Sequence, residues 1–326
     1  MNKIYKVGIV GYGNLGKGAI AAIAQSPDME LCAVFSRRTN ISIDAKDVPV
    51  VGIDDAAQWI GKLDAVLLCG GSATDLPVQG PYFAQYFNTV DTFDNHAHIP
   101  EYFAKMDAAA KQSGHASLIS IGWDPGLFSL QRIYGEAVLP KGESYTFWGK
   151  GVSQGHSDAV RRIEGVQDAK QYTIPCQEAL SAVRKGENPV LTTRQKHTRL
   201  CYVVAKDGAD KAAIEKQIKE MPNYFADYDT TVNFISEETM AKEHSGMPHG
   251  GFVLRSGNTA EGDAHVLEYS LKLESNPGFT SSVATAFTRA CIRMASKGMC
   301  GAFTAFDVPP AMLSPKSGEE LRRTLL

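Results

Sequence analysis

The segment Gly11-Tyr12-Gly13-Asn14-Leu15-Gly16 constrains the fold of this chain more than any other part of the sequence. An apolar run that predicts a strand precedes it at residues 7–10, and small residues that predict a helix follow at 19–24. In this G-x-G-x-x-G pattern the first glycine permits a tight turn and the second lets a pyrophosphate approach the backbone. The third glycine lets the helix pack close to the strand, and the N–H groups at the helix start attract the anion. The segment therefore predicts a dinucleotide-binding unit rather than an ordinary glycine-rich turn.

The residues about twenty positions beyond Gly16 indicate which dinucleotide binds. A fold that uses NAD keeps an acidic residue there, because a carboxylate accepts a hydrogen bond from the ribose 2′-hydroxyl. This chain has Ser36-Arg37-Arg38 instead, directly after the apolar run at 31–35. Two guanidinium groups and a hydroxyl bind a 2′-phosphate through charge-assisted hydrogen bonds. The sequence therefore favours NADP over NAD; the alternative is a solvated charge pair at a strand end.

Length and charge exclude several classes of protein. A chain of 326 residues is long enough for two domains with substantial cores. The net charge of −3 gives no basic excess for binding nucleic acid or an anionic membrane surface. No apolar run approaches the ~20 residues that span a bilayer, and the predicted first strand leaves no room for a signal peptide. We therefore expect a cytoplasmic protein with no nucleic acid or membrane partner.

The six cysteines are scattered, without a C-x-x-C pair. Two of them, Cys32 and Cys69, lie inside apolar runs that predict strands. Free thiols in a reducing cytosol explain this distribution better than a disulfide framework does.

The order of predicted elements indicates an α/β fold with a second domain. Strands are predicted at residues 6–10, 30–35, 64–69, 88–92 and 115–120, and helices at 17–25, 80–87 and 100–113. This alternation predicts a Rossmann-type doubly wound parallel sheet over residues 1–122. From residue 123 to 299, strands at 144–148, 199–205, 229–235 and 265–274 and helices at 210–220 and 281–296 predict an α+β domain with a mixed or antiparallel sheet. The C-terminal segment, about residues 300–326, is expected to complete the first domain.

Two acidic residues follow strands of the predicted parallel sheet. Ligands of such sheets bind beyond the carboxyl ends of the strands, which is where Asp94 and Asp124 lie in the sequence. A pair of carboxylates there would hold an ammonium group, or accept its proton during an oxidation. The alternative for each aspartate is a turn or a helix cap, because Asp-Asn and Asp-Pro-Gly readily form turns.

Longer segments resemble the meso-diaminopimelate dehydrogenase family, in order and over essentially the whole chain. Apart from the glycine pattern, the segments that carry the resemblance are Phe35-Ser36-Arg37-Arg38, Gly71-Ser72-Ala73-Thr74-Asp75, Val90-Asp91-Thr92-Phe93-Asp94-Asn95-His96, Gly122-Trp123-Asp124-Pro125-Gly126, Phe147-Trp148-Gly149, Ser153-Gln154-Gly155-His156-Ser157-Asp158 and His244-Ser245-Gly246-Met247-Pro248-His249-Gly250-Gly251. The resemblance implies NADP-dependent oxidative deamination of the D-centre of meso-2,6-diaminopimelate to L-2-amino-6-oxopimelate, ammonia and NADPH. It also implies a reversible reaction of diaminopimelate and lysine biosynthesis, and a cytoplasmic homodimer that dimerises through the second domain.

The resemblance also implies which residues form the site. Those expected to bind NADP are Gly11, Tyr12, Gly13, Asn14, Leu15, Ser36, Arg37, Arg38, Cys69, Gly70, Gly71, Ser72, Thr92, Phe93, Asp94, Ile121, Gly122, Trp123, Asp124 and Pro125. Those expected to bind the substrate are Asp94, Trp123, Asp124, Trp148, Gln154, Gly155, Thr173, Arg199, His249 and Asn276. Asp94 and Asp124 are the expected catalytic residues, which bind and orient the amine. Arg199, with Thr173 and His249, is expected to clamp the carboxylate at the L-configured end. From residue type alone, Arg199 would more often be a surface charge.

Other motifs suggest different chemistry. Gly151-Val152-Ser153-Gln154-Gly155 matches the G-x-S-x-G of serine hydrolases, but His156 and Asp158 follow in the wrong order for a triad. His96 with His98, and His244 with His249, lack the accompanying cysteines of many metal sites, and the second pair is expected in a Gly/Pro-rich loop. We therefore predict no metal. Another NADP-dependent oxidoreductase on a related amino acid, or a non-catalytic NADP-binding sensor, remain the alternative functions.

Overall fold

The computed structural model describes residues 3–326, which contain fourteen strands and eleven α helices. The strands are β1 (Tyr5–Val10), β2 (Met29–Ser36), β3 (Val50–Gly52), β4 (Ala65–Leu68), β5 (Asn88–Asp91), β6 (Ala116–Leu118), β7 (Gly142–Trp148), β8 (Gly151–Val152), β9 (Val166–Pro175), β10 (His197–Ala205), β11 (Asp229–Phe234), β12 (His249–Asn258), β13 (Ala264–Leu273) and β14 (Gly301–Phe303). The helices are α1 (Asn14–Ala24), α2 (Leu76–Ala84), α3 (Ile99–Ser113), α4 (Leu127–Val138), α5 (Gln154–Arg161), α6 (Gln177–Arg184), α7 (Thr193–Lys196), α8 (Lys211–Glu220), α9 (Glu237–Glu243), α10 (Asn276–Ala295) and α11 (Gly318–Leu325).

The first of two compact units runs up to Leu130 and resumes from Pro277 to Leu326. Its seven strands form one sheet in the order β14-β6-β5-β4-β1-β2-β3, and every paired strand is parallel to its neighbour. Leaving out β14, this is the strand order of a dinucleotide-binding fold, with the order reversing at β1. The predicted fold class is therefore confirmed.

Apolar side chains cover both faces of this sheet. Along β1, Val7 and Ile9 pack with Phe287 of α10 in one buried cluster. Val10 belongs to the cluster on the other face, where Phe83 of α2 also lies. Because both faces are buried, the strands consist of nearly continuous apolar residues, which is why the sequence revealed them.

The observed units divide the chain differently from the predicted domains at both ends of the second one, which begins at Gln131 and ends at Asn276. We expected residues 123–299 to form the second domain, but the chain rejoins the first unit at Pro277, so that almost all of α10 belongs there. Val283, Phe287 and Cys291 of this helix are buried in the cluster that contains β1 and β4. Sequence periodicity showed that a helix forms here but not which sheet it covers.

The second unit, Gln131–Asn276, contains two sheets. One has the order β11-β10-β9-β8, antiparallel except for the β10–β11 pair, and the other has the antiparallel order β13-β12-β7. The α+β prediction agrees with this, although it missed β8, β9 and β12. The expectation of a loop at His249 was wrong, because His249-Gly250-Gly251 begins β12 and pairs with β13. A side chain at Gly250 or Gly251 would overlap a neighbouring strand's carbonyl oxygen, so glycine signals close strand approach here.

Three further observations bear on the class of protein. None of the helices within residues 3–326 is long and apolar enough to cross a membrane. All six cysteines are free thiols. No group of three or more His, Cys, Asp or Glu side chains in this part of the chain could hold a metal ion.

Candidate functional site

The carboxyl ends of β1, β2, β4, β5 and β6 lie at one edge of the parallel sheet, because neighbouring strands run in the same direction. Each of these ends continues into a segment that the sequence predicted to contact the cofactor. In order these are Gly11–Leu15, Ser36-Arg37-Arg38, Cys69-Gly70-Gly71-Ser72, Thr92-Phe93-Asp94 and Ile121-Gly122-Trp123-Asp124-Pro125. The topology thus brings together segments that are spread over more than one hundred residues of sequence.

The glycine-rich turn has the geometry that its pattern predicts. Gly11 has a φ of +95°, which glycine adopts without strain. A Cβ at Gly16 would overlap the carbonyl oxygen of Gly11, so only glycine lets α1 start this close to the turn. A Cβ built at Gly13 has no atom within 4 Å, and no side chain caps the start of α1 there. The start of α1 therefore has space for an anionic ligand beside Gly13.

The two arginines follow the end of β2, which is paired with β1, the strand before the glycine-rich turn. Arg37 is exposed, and its guanidinium lies 3.2 Å from a carboxylate oxygen of Asp75. Asp75 also accepts a hydrogen bond of 3.0 Å from the backbone N–H of Gly71. Ser36 is buried, and its hydroxyl accepts a hydrogen bond of 3.1 Å from the backbone N–H of Arg38. Both arginines thus follow β2 at the sheet edge where a 2′-phosphate would lie in a dinucleotide fold.

The two candidate catalytic carboxylates follow neighbouring strands, β5 and β6. Asp94 is exposed, and its backbone N–H donates a hydrogen bond of 3.0 Å to the Ser72 hydroxyl, which ties it to the segment after β4. Asp124 is half-buried in a tight turn that Gly126 makes possible with a φ of +123°. Trp123 is largely buried and packs edge-on against Phe128 at 5.2 Å between ring centroids.

In the second unit, two residues of the expected carboxylate clamp contact each other. Arg199 on β10 and Thr173 on β9 are cross-strand partners, and the Arg199 guanidinium donates a hydrogen bond to the Thr173 hydroxyl. Arg199 is only 7% exposed, so it is not the surface charge that residue type alone would suggest. Burial lowers the pKa of Arg199, although an arginine in a protein remains charged.

The charge of Arg199 lacks an acidic partner. Within residues 3–326 no carboxylate forms an ion pair with it, and its buried Nε has no hydrogen-bond acceptor. Its guanidinium carbon instead lies 3.8 Å from the ring centroid of Tyr228, which is a cation–π contact. Sequence reasoning missed Tyr228, because nothing in its neighbourhood marks it as the support of a distant arginine. A buried, unpaired guanidinium is a site for an anionic ligand.

Two more predicted substrate residues, Gln154 and Asn276, contact Met247, two residues before a third, His249. The amide of Gln154 lies 3.2 Å from the Met247 sulfur, and the backbone N–H of Asn276 donates to the Met247 carbonyl at 2.9 Å. The His249 ring lies so close to Gly151 that a Cβ there would overlap it. Gly155, next to Gln154, is exposed in the first turn of α5.

Trp148 is held by a histidine that the sequence did not point to. The backbone N–H of Trp148 donates a hydrogen bond of 2.8 Å to Nε2 of His197, and the two rings stack at 5.4 Å. Because Nε2 accepts this bond, His197 must be in the neutral form with its proton on Nδ1. Trp148 itself remains 38% exposed.

Buried neutral histidines make the stability of this protein pH-dependent. Burial, assisted by the charge of Arg199, lowers the pKa of both His197 and His156 from 6.5 to about 4. The unfolded chain therefore binds protons that the native state does not, so stability is lost as the pH falls from about 6.5 towards 4. Between pH 7.5 and pH 5 each histidine should cost about 2 kcal/mol. Urea unfolding at both pH values should show a smaller loss for His197→Gln, whose amide oxygen still accepts from Trp148; an equal loss would contradict the assignment.

The G-x-S-x-G segment does not form a hydrolase site. Ser153 lies 2.8 Å from Nδ1 of His156, but the serine is the N-cap of α5 and also accepts from the backbone N–H of His156. The edges of the His156 ring contact Tyr224 and Phe225, and among the described residues no carboxylate accepts from that ring. The serine and histidine thus form a helix cap.

Comparisons with known proteins agree with this geometry. A family model described as the diaminopimelic acid dehydrogenase C-terminal domain matches residues 122–275. The meso-diaminopimelate D-dehydrogenase of Ureibacillus thermosphaericus is 62% identical, over 100% of both chains. This chain belongs to the meso-diaminopimelate dehydrogenase family.

Two solved structures are similar to this chain over nearly its whole length. A meso-dapdh mutant of Clostridium tetani E88 with DAP is 53% identical, with a TM-score of 0.93, and the match covers 99% of this chain and 100% of that one. An engineered D-amino acid dehydrogenase bound to NADP⁺ is 48% identical, with a TM-score of 0.86 over 100% of both chains. The Clostridium mutant carries Q154L/T173I/R199M/P248S/H249N/N276S, and this chain has the unsubstituted residue at each of those numbers. The chain's membership of the meso-diaminopimelate dehydrogenase family confirms the resemblance that its motifs indicated.

Proposed function

We propose that this protein catalyses the NADP-dependent oxidative deamination of the D-centre of meso-2,6-diaminopimelate. The products are L-2-amino-6-oxopimelate, ammonia, NADPH and a proton, with water consumed, and the reverse reaction assimilates ammonia in diaminopimelate and lysine biosynthesis. Membership of the family supports the reaction. Within the structure the observation that carries it is Arg199, a buried cation without an acidic partner that suits a second substrate carboxylate.

The residues at the sheet edge fit NADP. The uncapped start of α1, with open space around Gly13, suits a pyrophosphate, and Arg37 and Arg38 suit a 2′-phosphate. An NADP⁺ complex among the similar structures supports the same cofactor. When bound, NADP supplies the hydride acceptor. The remaining task of the protein is to deliver the substrate Cα–H in the correct orientation with its amine unprotonated.

Asp94 and Asp124 are proposed to bind the amine of the D-centre. A carboxylate beside an ammonium group accepts its hydrogen bonds, fixes its direction and provides an acceptor when the proton leaves. The amine must be neutral when the hydride departs, because its lone pair forms the C=N bond of the imine. Water then adds to the imine carbon and ammonia leaves. Trp123 and Trp148 are proposed to wall the substrate and limit access of water.

The second unit is proposed to recognise the L-configured end. Arg199 would bind the distal carboxylate bidentately, with Thr173 and His249 completing its hydrogen bonds. Gln154, Gly155 and Asn276 would line the rest of the pocket, and the segment containing Met247 holds two of them in place. Five of these residues, together with Pro248, have numbers at which the Clostridium mutant is substituted, which supports their assignment.

The reaction is tested by following NADPH formation with resolved diaminopimelate stereoisomers. We expect turnover of the meso isomer with NADP, and little with the LL isomer, which has no D-centre. Ammonia-dependent oxidation of NADPH by the oxo product should occur in the reverse direction. If the meso isomer gives no NADPH, the proposed function fails.

Cofactor choice gives a second measurable consequence. Replacing both Arg37 and Arg38 with alanine should weaken NADPH binding roughly 10- to 150-fold. The loss of a single charge-assisted hydrogen bond, worth about 1.5–3 kcal/mol, is enough to give a change of this size. The Kd for NADH, which has no 2′-phosphate, serves as the internal control and should change less than about threefold. Fluorescence titration measures both constants. Equal weakening of the two cofactors would contradict the assignment of these arginines.

We further propose that the first unit binds the dinucleotide and that the second binds substrate and dimerises, giving a cytoplasmic homodimer. Four apolar side chains of the second unit are 43–60% exposed: Ile133, Tyr134 and Val138 on α4 and Leu267 on β13. Tyr134, Val138 and Leu267 line the same surface pocket, and contiguous exposed apolar groups are typical of protein interfaces. Sedimentation analysis should show a dimer that Val138→Glu weakens. The free thiols suit a reducing cytosol.

A further inference from the structure

Asp91, the last residue of β5, is the most deeply buried carboxyl group at the sheet edge, with no exposed surface. Its Oδ1 accepts two backbone hydrogen bonds of 3.0 Å, one from Phe93 and one from Ser120. Its Oδ2 accepts a third bond of 2.8 Å from the hydroxyl of Tyr102 on α3. Its backbone carbonyl accepts a fourth, at 2.8 Å, from the N–H of Ile121. One residue therefore binds two different loops and a helix.

The two loops are those that carry the candidate catalytic carboxylates. Phe93 immediately precedes Asp94, and Ser120 and Ile121 immediately precede the Gly122-Trp123-Asp124 turn. Both amides bind the same carboxylate oxygen, so this one atom links the two loops directly, in addition to the bond from Ile121 to the Asp91 carbonyl. Sequence reasoning gave Asp91 no role, because it lies at the end of a predicted strand. Asp94, three residues later, was the evident candidate for catalysis.

The conformation of Ser120 shows that this contact holds the second loop in place. Ser120 has a φ of +58°, in the left-handed region that residues other than glycine rarely adopt. Such a conformation persists only where surrounding interactions determine it, and here the Asp91 carboxylate accepts from the same residue's N–H. The first loop is held in addition by its ring, since Phe93 stacks on Tyr102 with 4.1 Å between centroids.

We propose that Asp91 is a positioning residue, whose Oδ1 sets the distance between the loops that carry Asp94 and Asp124. The inference rests on the proposed function, since it assigns a purpose to the spacing of those two carboxylates. Its action depends on an acceptor at the Oδ1 position and not on negative charge. Among residues 3–326, Tyr102 is the only titratable side chain bonded to Asp91, and burial raises the pKa of Asp91 itself to about 6. The protein thus keeps a costly buried carboxylate where it can accept three hydrogen bonds.

Two variants with the same number of side-chain heavy atoms separate the acceptor from the charge. Asp91→Asn keeps an oxygen for both backbone N–H groups, and its NH₂ can donate to the Tyr102 oxygen. We expect its kcat to stay within about threefold of wild type. Asp91→Leu has no acceptor, and a displacement of the reacting groups by about 1 Å should lower kcat roughly 100-fold. Tyr102→Phe leaves both backbone bonds intact and should behave like the asparagine variant.

Three readouts distinguish positioning from loss of folding. Circular dichroism melting defines a temperature at which every variant is folded. Binding of adenosine 2′,5′-bisphosphate, which reaches only the Arg37 end of the sheet edge, should be unchanged in Asp91→Leu. The kinetic isotope effect with meso-diaminopimelate deuterated at the D-centre should increase, because hydride transfer becomes slower. If the leucine variant does not fold, Asp91→Ser, whose hydroxyl is too short to reach both amides, replaces it and should lower kcat more than tenfold at constant bisphosphate affinity.

Several results would overturn the inference. Wild-type kcat in the folded leucine or serine variant would show that the loops keep their spacing without Asp91. An asparagine variant as slow as leucine would show that charge, and not the shared acceptor, is what matters. Either result can be obtained only if the wild-type enzyme turns over the substrate, so these failures are distinct from failure of the proposed function.

Discussion

Replacing Asp124 with asparagine should lower kcat about 10²–10⁴-fold, the range by which a positioned acid–base group contributes to a reaction rate. The substitution keeps the size of the side chain and its place in the turn, but removes the charge that attracts the ammonium and the base that can take its proton. Asp94→Asn should lower kcat in the same direction, and the larger of the two effects identifies the group nearer the proton.

Stopped-flow measurement of NADPH formation over pH 6–10 tests this expectation. Ionisation of the substrate amine should remain visible in the pH profile of the variants, shifted or flattened relative to wild type. Asp207→Asn is a matched control, because Asp207 is an exposed aspartate in the turn after β10. It should leave kcat unchanged. If Asp94→Asn and Asp124→Asn both turn over at the wild-type rate, the catalytic assignment is wrong.

Replacing Arg199 with methionine should reduce kcat/KM for meso-diaminopimelate roughly 30- to 5000-fold, because loss of one partner of a buried charged pair costs about 2–5 kcal/mol. Most of the change should be in KM, since the distal carboxylate is bound equally in the ground state and the transition state. Arg199→Lys retains the charge but loses the planar fork and the contact with Tyr228, so it should recover only part of the activity.

A substrate without the distal carboxylate makes this test specific. D-Lysine has the reacting D-centre and the full chain length but no second carboxylate. The preference of the wild-type enzyme for meso-diaminopimelate over D-lysine should therefore collapse in Arg199→Met, because only one of the two substrates loses a contact. Arg194→Met, which removes an exposed arginine paired with Asp229, is the matched control and should change neither substrate. An unchanged preference in Arg199→Met would remove Arg199 from the substrate site.

The confirmed parts of the sequence reasoning are those in which local chemistry and fold agree. Gly11 is required by its positive φ, and Gly16 by a close approach of the backbone. Their spacing therefore predicts the turn before any tertiary contact is known. The buried strands of the first unit were found for a similar reason, because both faces are covered and nearly every residue is apolar. Strand β12 was missed because Gly250 and Gly251 have no side chains to show a period, although tight strand pairing requires them.

The sequence by itself determined the dinucleotide turn, the cationic pair that favours NADP, and the family to which the chain belongs. Each of these follows from short segments, because each depends on backbone freedom or on charge at adjacent positions. The tertiary structure decided which distant residues meet. Thr173 and Arg199 become partners through the register of β9 and β10, Tyr228 becomes the support of that guanidinium, and Asp91 joins two loops through one oxygen. Such contacts form between residues far apart in the chain, so no local pattern of side chains records them.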